Sequence, residues 1–415
     1  MNLADRKSIT LKPDLKRVLC QFFNLDMLGK SQSVIKRIKS LEESVAADLL
    51  DQVLLEFKDR HRDFSAILKR HYLKAVEKNP EINTFSETRK LLLGAYFSNE
   101  YTPESAALMN PSIINYSEDK NPTKDKCRFV MSLRSVGEGH ISSLQFRTGS
   151  IDGKRSVTID PLSDYITAGT IKPVTGKNDD IIELTFKDVH PISERIIFPM
   201  TADERNGIED VRFVKFETGT YYGTYTAYDG HKIILKLICT EDFQTFYIHK
   251  LMDGSFRNKG LALFHRKING QYVMTSRQDG ENLYIMYSDD ILDWKKSYKI
   301  SEPKEPWEYI QLGNCGSPLE IEQGWILITH GVGPMRKYVI SACLLDKDDP
   351  SRVIASLDQP LLSPTESERN GYVPNVVYSC GSLLYNNELY IPYAMSDYAS
   401  SIASVSVAKL LKHMK

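Results

Sequence analysis

The feature that most constrains the fold of this chain is a loose repeat that begins after about Tyr101. Each copy has an apolar strand, a polar break, a second strand and often an acidic turn. The five copies are CRFVMSLRSVGEGHISSLQF, GTYYGTYTAYDGHKIILKLICTEDFQTF, GQYVMTSRQDGENLYIMYSDDILDW, QGWILITHGVGPMRKYVISACLLD and NELYIPYAMSDYASSIASVSVA. Their spacing lies near the ~40–50 residues of a propeller blade. We therefore predict a mainly β fold, a five-bladed β-propeller over residues 101–415. The alternative is a β-sandwich or an irregular all-β domain.

The first hundred residues have a different period and predict a helical N-terminal segment over residues 1–100. Apolar residues step by three and four from Val34 through Leu49 and on to Phe57, which is typical of an amphipathic helix. A second helix is predicted in FSAILKRHYLKAVEKN, before Pro80. We expect His61 and His71 to lie at the surface. The sequence leaves open whether this segment packs beside the β domain or joins two copies in a homo-oligomer.

Composition narrows the class of protein. The chain has 415 residues with 41% hydrophobic and 26% charged residues, typical of a globular protein. Its formal net charge of -1 offers no global attraction for nucleic acid or an anionic membrane. The N-terminus lacks the apolar run of a signal peptide, and no stretch reaches the ~18 apolar residues of a membrane span, so we expect a cytoplasmic protein. Six scattered cysteines without a CxxC pair favour neither zinc nor disulfides. We predict no metal and no cofactor.

Candidate functional residues recur at one position of the repeat, the polar break. They are Arg134 to His140 in the first copy, Asp210 entering the second, Arg277 to Glu281 in the third, His330 in the fourth and Asp397 in the fifth. Inner strands of a propeller converge on its axis, so these residues would meet in one axial pocket. In the segment NGIEDVRF, Glu209 and Asp210 are adjacent and should point to opposite faces of a strand. The alternative for these carboxylates and Arg212 is an ion-pair network that closes a blade.

Several segments together resemble glycoside hydrolase family 130. They are NGIEDVRF, FHRKINGQYVMTSR, YSDDILDW, GWILITHGV, LLDKDDPSRVIA and GYVPNVVYSCG, in consistent order between residues 101 and 412. The resemblance implies a five-bladed propeller that acts on β-mannosides, either as a phosphorylase or as a β-1,2-mannosidase. It covers the first hundred residues less clearly.

The resemblance also implies roles for individual residues. Asp210 matches the family's proton donor, which passes its proton through a hydroxyl of the bound mannose, and Glu209 would then be structural or supporting. Cleavage needs such an acid because an alkoxide is a poor leaving group. The implied sugar ligands are Asn110, Arg134, Tyr372, Asn375 and Asp397. For each of them a turn cap or a blade-closing hydrogen bond is the alternative.

The sequence departs from the phosphorylase pattern in places that bear on the reaction. Where phosphorylases have His-Arg-Pro, this chain has Ser276-Arg277-Gln278, followed by Glu281. Gln311 stands where the phosphorylases commonly have a lysine, and Glu320 stands where they often have a basic residue. Phosphate needs a cationic cradle, whereas an inverting hydrolase needs a carboxylate that activates water. We therefore expect an inverting β-1,2-mannosidase in which Glu281 or Glu320 is the base.

Two alternatives remain open. Arg277 and His330 are cationic or polar residues of the phosphorylase pattern, and they leave room for a phosphorylase that uses inorganic phosphate and a β-mannoside oligosaccharide. A carbohydrate-binding propeller without catalysis would keep the sugar ligands but need no acid, which the presence of Asp210 argues against. Glu138 and His140 either contact the substrate from the first repeat or cap the GEGH turn.

Overall fold

The computed structural model describes residues 3–116, 126–173, 181–252 and 258–415. The chain divides into two compact units, one of residues 14–103 and 163–167, the other of residues 1–13, 104–162 and 168–415. The sequence placed Asp5–Leu11 in the helical segment of residues 1–100, but this stretch lies in the larger unit. The reason is that it is a β-strand paired with a strand near the C-terminus. No helix in the described ranges has the length and apolarity to cross a membrane.

The smaller unit is helical and has its own core. Its helices are α1 (Ser31–Lys39), α2 (Glu43–Phe57), α3 (Phe64–Val76) and α4 (Glu87–Tyr96), with 3-10 turns at Leu25–Leu28, Lys58–Arg60 and Pro80–Thr84 and a ribbon of β2 (Leu19–Phe22) and β3 (Ser98–Tyr101). Its most buried side chains include Leu68, Ile82, Leu93 and Phe97.

Two expectations for this unit are wrong. The apolar row from Val34 to Phe57 is split between α1 and α2, because the chain leaves the helical path at residues 40–42. His61 and His71 are 4% and 3% exposed rather than at the surface. His61 contacts Glu100 at 2.9 Å and His71 contacts the Ser98 hydroxyl at 2.7 Å, so both rings are satisfied core groups.

The larger unit is mainly β, as predicted. Its described strands, other than β1 (Asp5–Leu11), are β4 (Ala107–Asn115), β5 (Lys126–Val136), β6 (Ser142–Asp152), β7 (Val157–Ile159), β8 (Thr167–Ala168), β9 (Thr170–Pro173), β10 (Ile181–Thr185), β11 (Arg195–Ile197), β12 (Ile208–Lys215), β13 (Tyr221–Tyr228), β14 (Ile233–Thr240), β15 (Thr245–Lys250), β16 (Ala262–Leu263), β17 (Tyr272–Ser276), β18 (Leu283–Ser288), β19 (Ser297–Ser301), β20 (Gln311–Asn314), β21 (Leu319–Ile321), β22 (Gly324–Val332), β23 (Tyr338–Leu345), β24 (Val353–Ser356), β25 (Val377–Tyr378), β26 (Leu383–Tyr385), β27 (Glu388–Met395) and β28 (Ala399–Ser406). A short helix, α5 (Val407–His413), follows the last strand.

These strands form five antiparallel sheets in the described part of this unit. In chain order the sheets run β4-β5-β6-β11, then β12-β13-β14-β15-β10-β9, then β16 to β19, then β20-β22-β23-β24, and finally β1-β28-β27-β25. In each sheet one strand precedes a central hairpin along the chain. The repeats found in the sequence are these central hairpins, and the first strand of each sheet lay outside them.

Apolar clusters join each sheet to its neighbour in chain order. Phe146 of the first sheet packs with Phe213 and Phe246 of the second, and Met274 of the third joins Leu237 of the second. The remaining clusters follow the same rule and pair the third sheet with the fourth, the fourth with the fifth, and the fifth with the first. Burial of these faces supplies the main stabilisation, at roughly 25 cal/mol per Å² of apolar surface.

Candidate active site

Two β-bulges aim the central polar residues. Asn110 and Asp210 have φ values of +50° and +55°, a left-handed conformation that non-glycine residues rarely adopt. In β4 the register shifts between Met109 and Ser112, and in β12 it shifts between Glu209 and Arg212. A bulge re-aims the side chain that it carries and often occurs beside an active site. The Asn110 amide donates a hydrogen bond of 2.7 Å to Asp210 Oδ1.

The bulge at Asp210 corrects the expectation that Glu209 and Asp210 point to opposite faces. One guanidinium, that of Arg134 in β5, contacts Glu209 at 2.9 Å and Asp210 at 3.5 Å. Strict alternation fails because the extra residue of the bulge breaks the two-residue period. Glu209 also pairs with the ammonium of Lys259, which lies just before β16. Both carboxylates therefore belong to one charged cluster.

Asp210 lies in a strongly cationic surrounding. Burial by itself would raise its pKa, but the positive charges of Arg134, Arg212 and Lys259 lower the pKa below its ordinary value, with help from the Asn110 hydrogen bond. Asp210 is therefore ionised at neutral pH in the absence of a ligand. A bound anion that offset these cations would let its pKa rise.

Arg212 is fixed by a hydroxyl of the fifth sheet. It is 2% exposed, donates to the backbone carbonyl of Asp210 at 2.9 Å and donates to the Tyr378 hydroxyl at 2.7 Å. Burial, opposed by the nearby Arg212 charge, raises the pKa of Tyr378, so its hydroxyl keeps its proton. Among the described residues, therefore, no carboxylate forms a hydrogen bond with the Arg212 guanidinium.

His330 in β22 connects the third and fourth sheets. Arg277 Nη1 lies 3.2 Å from His330 Nε2, and the Gln311 amide nitrogen lies 2.8 Å from the same atom. Burial and the charges of Arg277 and Arg212 hold the pKa of His330 well below its usual value. The ring is neutral, so Nε2 accepts from both donors. The Tyr378 ring packs edge-on against this imidazole, with centroids 4.9 Å apart.

Asp397 follows β27 and completes the cluster from the fifth sheet. It has a φ of +50°. Burial and the neighbouring Asp210 charge raise its pKa to about 6, against the opposing charges of Arg134 and Arg336. Asp397 is thus a carboxyl group that titrates near neutral pH beside the carboxylate of Asp210.

The polar residues described above form one group of contacting side chains, and their charges do not balance. We call this group the axial cluster: Asn110, Arg134, Glu209, Asp210, Arg212, Lys259, Arg277, Gln311, His330, Tyr378 and Asp397. It holds four permanent cations against two carboxylates and the Asp397 group that titrates near pH 6. The Nε atoms of its three arginines are buried without a hydrogen-bond partner among the described residues. Such an excess favours an anionic ligand.

The carboxylates of Glu281 and Glu320, the two residues predicted as bases, form no hydrogen bond or ion pair with the axial cluster among the described residues. Glu320 in β21 lies opposite Trp325, five residues along β22 from His330, which is about 16 Å of strand. Its carboxylate is held by Arg266 through bonds of 2.9 and 2.8 Å. Glu281 is exposed in the turn after β17, and its backbone carbonyl accepts from Leu312 at 2.8 Å. That contact places Glu281 beside β20, at the edge of the cluster.

The remaining predicted residues lie in exposed or half-buried loops. Glu138 and His140 are exposed in a 3-10 turn, and His140 packs its ring against that of Tyr372 with centroids 5.6 Å apart. Tyr372 is 61% exposed. The Asn375 side chain accepts from Arg369 at 2.6 Å. His140 and Tyr372 therefore form a ring pair between two loops, whereas Asn375 is held within its own loop.

Sequence reasoning missed three members of the cluster as functional candidates. Lys259 precedes a strand of only two residues, Ala262–Leu263, which is too short to show a period. Tyr378 lies in another two-residue strand, three residues after the predicted Asn375. Arg212 stood in a recognised motif but was assigned only an effect on its neighbours. Within the described ranges no group of three or more His, Cys, Asp or Glu side chains could hold a metal ion.

Comparison with known proteins places this arrangement in a family. Residues 187–415 match the family model Glyco_hydro_130, described as beta-1,4-mannooligosaccharide phosphorylase. A 1,2-beta-oligomannan phosphorylase of Thermoanaerobacter sp. (strain X514) is 36% identical over 210 residues, covering 49% of this chain and 69% of that protein. A beta-1,2-mannobiose phosphorylase of the same strain is 37% identical over 208 residues, covering 49% of this chain and 68% of that protein.

Among solved structures, the beta-1,2-mannobiose phosphorylase of Listeria innocua, in complex with beta-1,2-mannobiose, has a similar fold. Its TM-score is 0.54 with 18% sequence identity, over 74% of this chain and 92% of that chain. The family model covers more than half of the present chain, and its matched range includes Asp210 and every cluster residue from the second to the fifth sheet. The chain therefore belongs to glycoside hydrolase family 130.

Proposed function

We propose that this protein is an inverting phosphorylase of β-1,2-linked mannosides that uses inorganic phosphate. The observation that carries the proposal is the excess of cations in the axial cluster, where Arg212, Arg277 and Lys259 accompany Asp210. A phosphorylase needs such a cradle and no protein base, since phosphate is the nucleophile. The names of the two Thermoanaerobacter relatives support the same substrate and linkage.

The proposal replaces the hydrolase expected from the sequence. That expectation counted Glu320 as a carboxylate gained at the site, but Glu320 forms a complete pair with Arg266. It also left Lys259 and Arg212 out of the count of cations. With both corrections the balance of charge favours an incoming anion over an activated water.

The proposed reaction joins proton transfer to an in-line displacement. Asp210, once protonated, gives its proton to the leaving glycosidic oxygen through a hydroxyl of the mannose in the site. The bond between the anomeric carbon and that oxygen breaks as a phosphate oxygen bonds to the opposite face of the carbon. The products are α-mannose 1-phosphate and a sugar chain shortened by one unit. Asn110, Arg134 and Asp397 orient the mannose through its hydroxyl groups.

Phosphate binding would also prepare the acid. The pKa of Asp210 is lowered by Arg134, Arg212 and Lys259 in the ligand-free site. A phosphate dianion against Arg212 and Lys259 offsets part of that positive charge, so the pKa of Asp210 rises when the nucleophile is in place. Acid and nucleophile become competent together.

The proposed architecture is a closed five-bladed propeller whose blades are the five sheets. Each sheet packs on the next, and the fifth packs on the first through Leu108, Tyr390 and Ile402 among others. In such a ring the first strands β4, β12, β16, β20 and β25 line the axis. This geometry would bring residues distant in sequence into the axial cluster.

The test is incubation with β-1,2-mannobiose, with and without inorganic phosphate. Phosphorolysis yields equal amounts of mannose and mannose 1-phosphate, and only in the tube with phosphate. Two mannose molecules per mannobiose in both tubes would instead establish the hydrolase. Unchanged mannobiose in both tubes would favour a binding protein. The Asp210→Asn variant, run in parallel, shows that product formation depends on the proposed acid.

Hydrolysis is the second candidate, and one observation favours it. Gln311, at a position where the sequence departs from the phosphorylase pattern, donates its amide to His330 rather than adding a cation. The Glu281 backbone lies beside the same strand. A hydrolase would use the Glu281 carboxylate to activate water, and its product ratio in the same assay would identify it.

A further inference from the structure

The carboxyl group of Asp397 is carried by a strained turn. Ser396 and Asp397 have φ values of +49° and +50°, so two consecutive non-glycine residues adopt the left-handed conformation. The Tyr398 N–H donates to the Met395 carbonyl at 3.1 Å and closes the turn, which we call the Asp397 turn. Such a backbone persists only where its surroundings determine it strongly. The residues that hold this turn therefore bear on the direction of the Asp397 side chain.

A loop of residues 365–376, which we call the Glu368 loop, holds the turn at Ser396. Ser396 is 0% exposed, and its N–H donates to the Val376 carbonyl at 2.8 Å. Its own carbonyl accepts from the Val373 N–H at 3.0 Å, and its hydroxyl donates to the Glu368 carbonyl at 2.6 Å. All three hydrogen-bonding groups of Ser396 are thus used by one loop, so the turn follows the position of that loop.

The carboxylate of Glu368 in turn fixes the loop. It is 6% exposed, and each of its oxygens accepts two hydrogen bonds. Oε1 accepts from the Tyr393 hydroxyl at 2.7 Å and from Arg6 Nε at 2.9 Å. Oε2 accepts from the Thr365 N–H at 2.9 Å and from Arg6 Nη2 at 3.0 Å. Burial alone would raise the pKa of Glu368, but these bonds lower it, so the carboxylate is ionised at neutral pH.

Arg6 reaches this carboxylate from β1, far from the fifth sheet in the sequence. The backbone of β1 is already paired with β28, where Arg6 lies opposite Ala403. Arg6 Nη2 also donates to the Ser363 carbonyl at 2.7 Å, just before the Glu368 loop. A buried ion pair adds little net stability, because desolvation offsets the attraction, but its directional bonds can specify one arrangement. We therefore expect this pair to act mainly on the position of the loop.

We propose that Arg6 and Glu368 are positioning residues, which hold the Asp397 turn through Ser396 without touching the substrate. The inference rests on the proposed function, in which Asp397 orients the mannose. It adds that a residue of the first β-strand, outside the residues 187–415 matched by the family model, sets the affinity for the mannoside. The proposed phosphate ligands are other residues of the axial cluster, so the affinity for phosphate should not depend on these contacts.

Glu368→Gln tests the proposal through the two KM values. The amide nitrogen replaces one carboxylate oxygen, so two of the four donors lose their acceptor in either orientation of the amide. The KM for β-1,2-mannobiose should rise about tenfold, while the KM for phosphate should change less than about twofold. If this variant does not fold, Arg6→Ala provides the same test from a half-buried position. An equal rise in both KM values, or an unchanged KM for mannobiose, would overturn the proposal.

The matched control is Glu388→Gln in the same sheet. Glu388 is 4% exposed, forms an ion pair with Arg155 at 3.1 Å and accepts from the Ser404 hydroxyl at 2.8 Å. It starts β27, seven residues or about 23 Å of strand from Met395. This substitution also removes a buried charge from the sheet, but at a distance from the Asp397 turn. It should therefore keep both KM values, and a rise in the KM for mannobiose equal to that of Glu368→Gln would contradict the proposal.

Hydrogen–deuterium exchange tests the positioning without any ligand. The Ser396 and Tyr398 amides are bonded within or to the turn, so their exchange reports its opening. We expect these amides to exchange about tenfold faster in Glu368→Gln and at the wild-type rate in Glu388→Gln. Unchanged exchange in Glu368→Gln would overturn the proposal. If the wild type forms no mannose 1-phosphate, the proposed function fails, and the exchange rates still decide whether Glu368 holds the turn.

Discussion

The axial cluster and the Glu320–Arg266 pair contain the same kinds of side chain, carboxylates and guanidinium groups, but they differ in how completely the charges are paired. The outer pair is one carboxylate facing one guanidinium through two bonds of 2.8 and 2.9 Å, with Arg266 also stacked 5.0 Å from the Trp325 ring centre. In the axial cluster Arg134 contacts two carboxylates while Arg212 and Arg277 bond to neutral groups. The outer pair is complete without a ligand, whereas the cluster has charge left over.

This comparison teaches that a structural charge is matched by an opposite charge, whereas a functional site keeps charged side chains that no opposite charge matches. The presence of an ion pair alone does not distinguish the two. A neutralised pair gains little from a further ion, since its hydrogen bonds are already made. A buried cation that bonds only to neutral groups still attracts an anion strongly, because few solvent dipoles screen it. Substitutions in both regions can test that distinction.

The largest effect is expected from Asp210→Asn. Loss of a general acid typically costs about 10²–10⁴-fold in rate, and the amide can keep the hydrogen bond from Asn110. We expect kcat on β-1,2-mannobiose to fall by that factor, with a thermal unfolding midpoint close to that of the wild type. Activity within about tenfold of wild type in a folded variant would remove Asp210 from the acid role.

The next largest effect is expected on the KM for phosphate. It compares Arg277, an arginine of the axial cluster, with Arg266, the arginine that pairs with Glu320. Arg277→Gln removes a cation beside His330, and a hydrogen bond to a charged group contributes about 1.5–3 kcal/mol. The KM for phosphate should therefore rise about 10–100-fold, as followed by mannose 1-phosphate formation at varied phosphate. Arg266→Gln is the matched control and should leave this KM unchanged. Equal effects of the two substitutions would mean that the inner charge is not a phosphate ligand.

The sequence predicted the long hairpins well, and the reason is physical. Strands such as β22 and β23 are eight or nine residues of alternating or continuously apolar side chains, so their period is visible. The first strands of the third and fifth sheets, β16 and β25, carry too few residues for that signal, since they have only two each. Since those strands bring Lys259 and Tyr378 to the cluster, the cation count made from the sequence was too low.

Local geometry set the second limit on prediction. The bulge at Asp210 lets adjacent carboxylates face the same guanidinium, which no two-residue period foresees. Conversely, Glu320 was a reasonable candidate by its position in the motif. Its partner Arg266 is 54 residues away in the chain, in the connection between β16 and β17 of the third sheet, so only the folded structure reveals that the Glu320 charge is neutralised.

A smaller effect concerns stability and the pH. The pKa of Asp397 is raised to about 6 by burial and the Asp210 charge, so its protonated form favours the folded state. That contribution is fully present below the pKa of the unfolded chain and is lost as the pH rises through about 6. A shift of this size corresponds to about 2–3 kcal/mol of unfolding free energy. As the pH rises from 4 to 8, the free energy of unfolding of Asp397→Asn should therefore increase by about 2 kcal/mol relative to that of the wild type. Urea unfolding at both pH values measures the difference, and a constant difference would contradict it.

The smallest effect should come from Glu320→Gln, and its sign should be opposite to that of Asp397. The hydrogen bond from Arg266 lowers the pKa of Glu320, so the stabilisation is present above the pKa of the unfolded chain and is lost as the pH falls through the folded value. The side chains are 24% and 30% exposed, and such a pair contributes less than about 1 kcal/mol that salt weakens further. We expect unfolding at pH 7 to shift by no more than that, and phosphorolysis to stay at the wild-type rate. If turnover instead collapsed while the fold persisted, Glu320 would act on the substrate. The distinction between complete pairs and surplus charge would then fail where it is most easily checked.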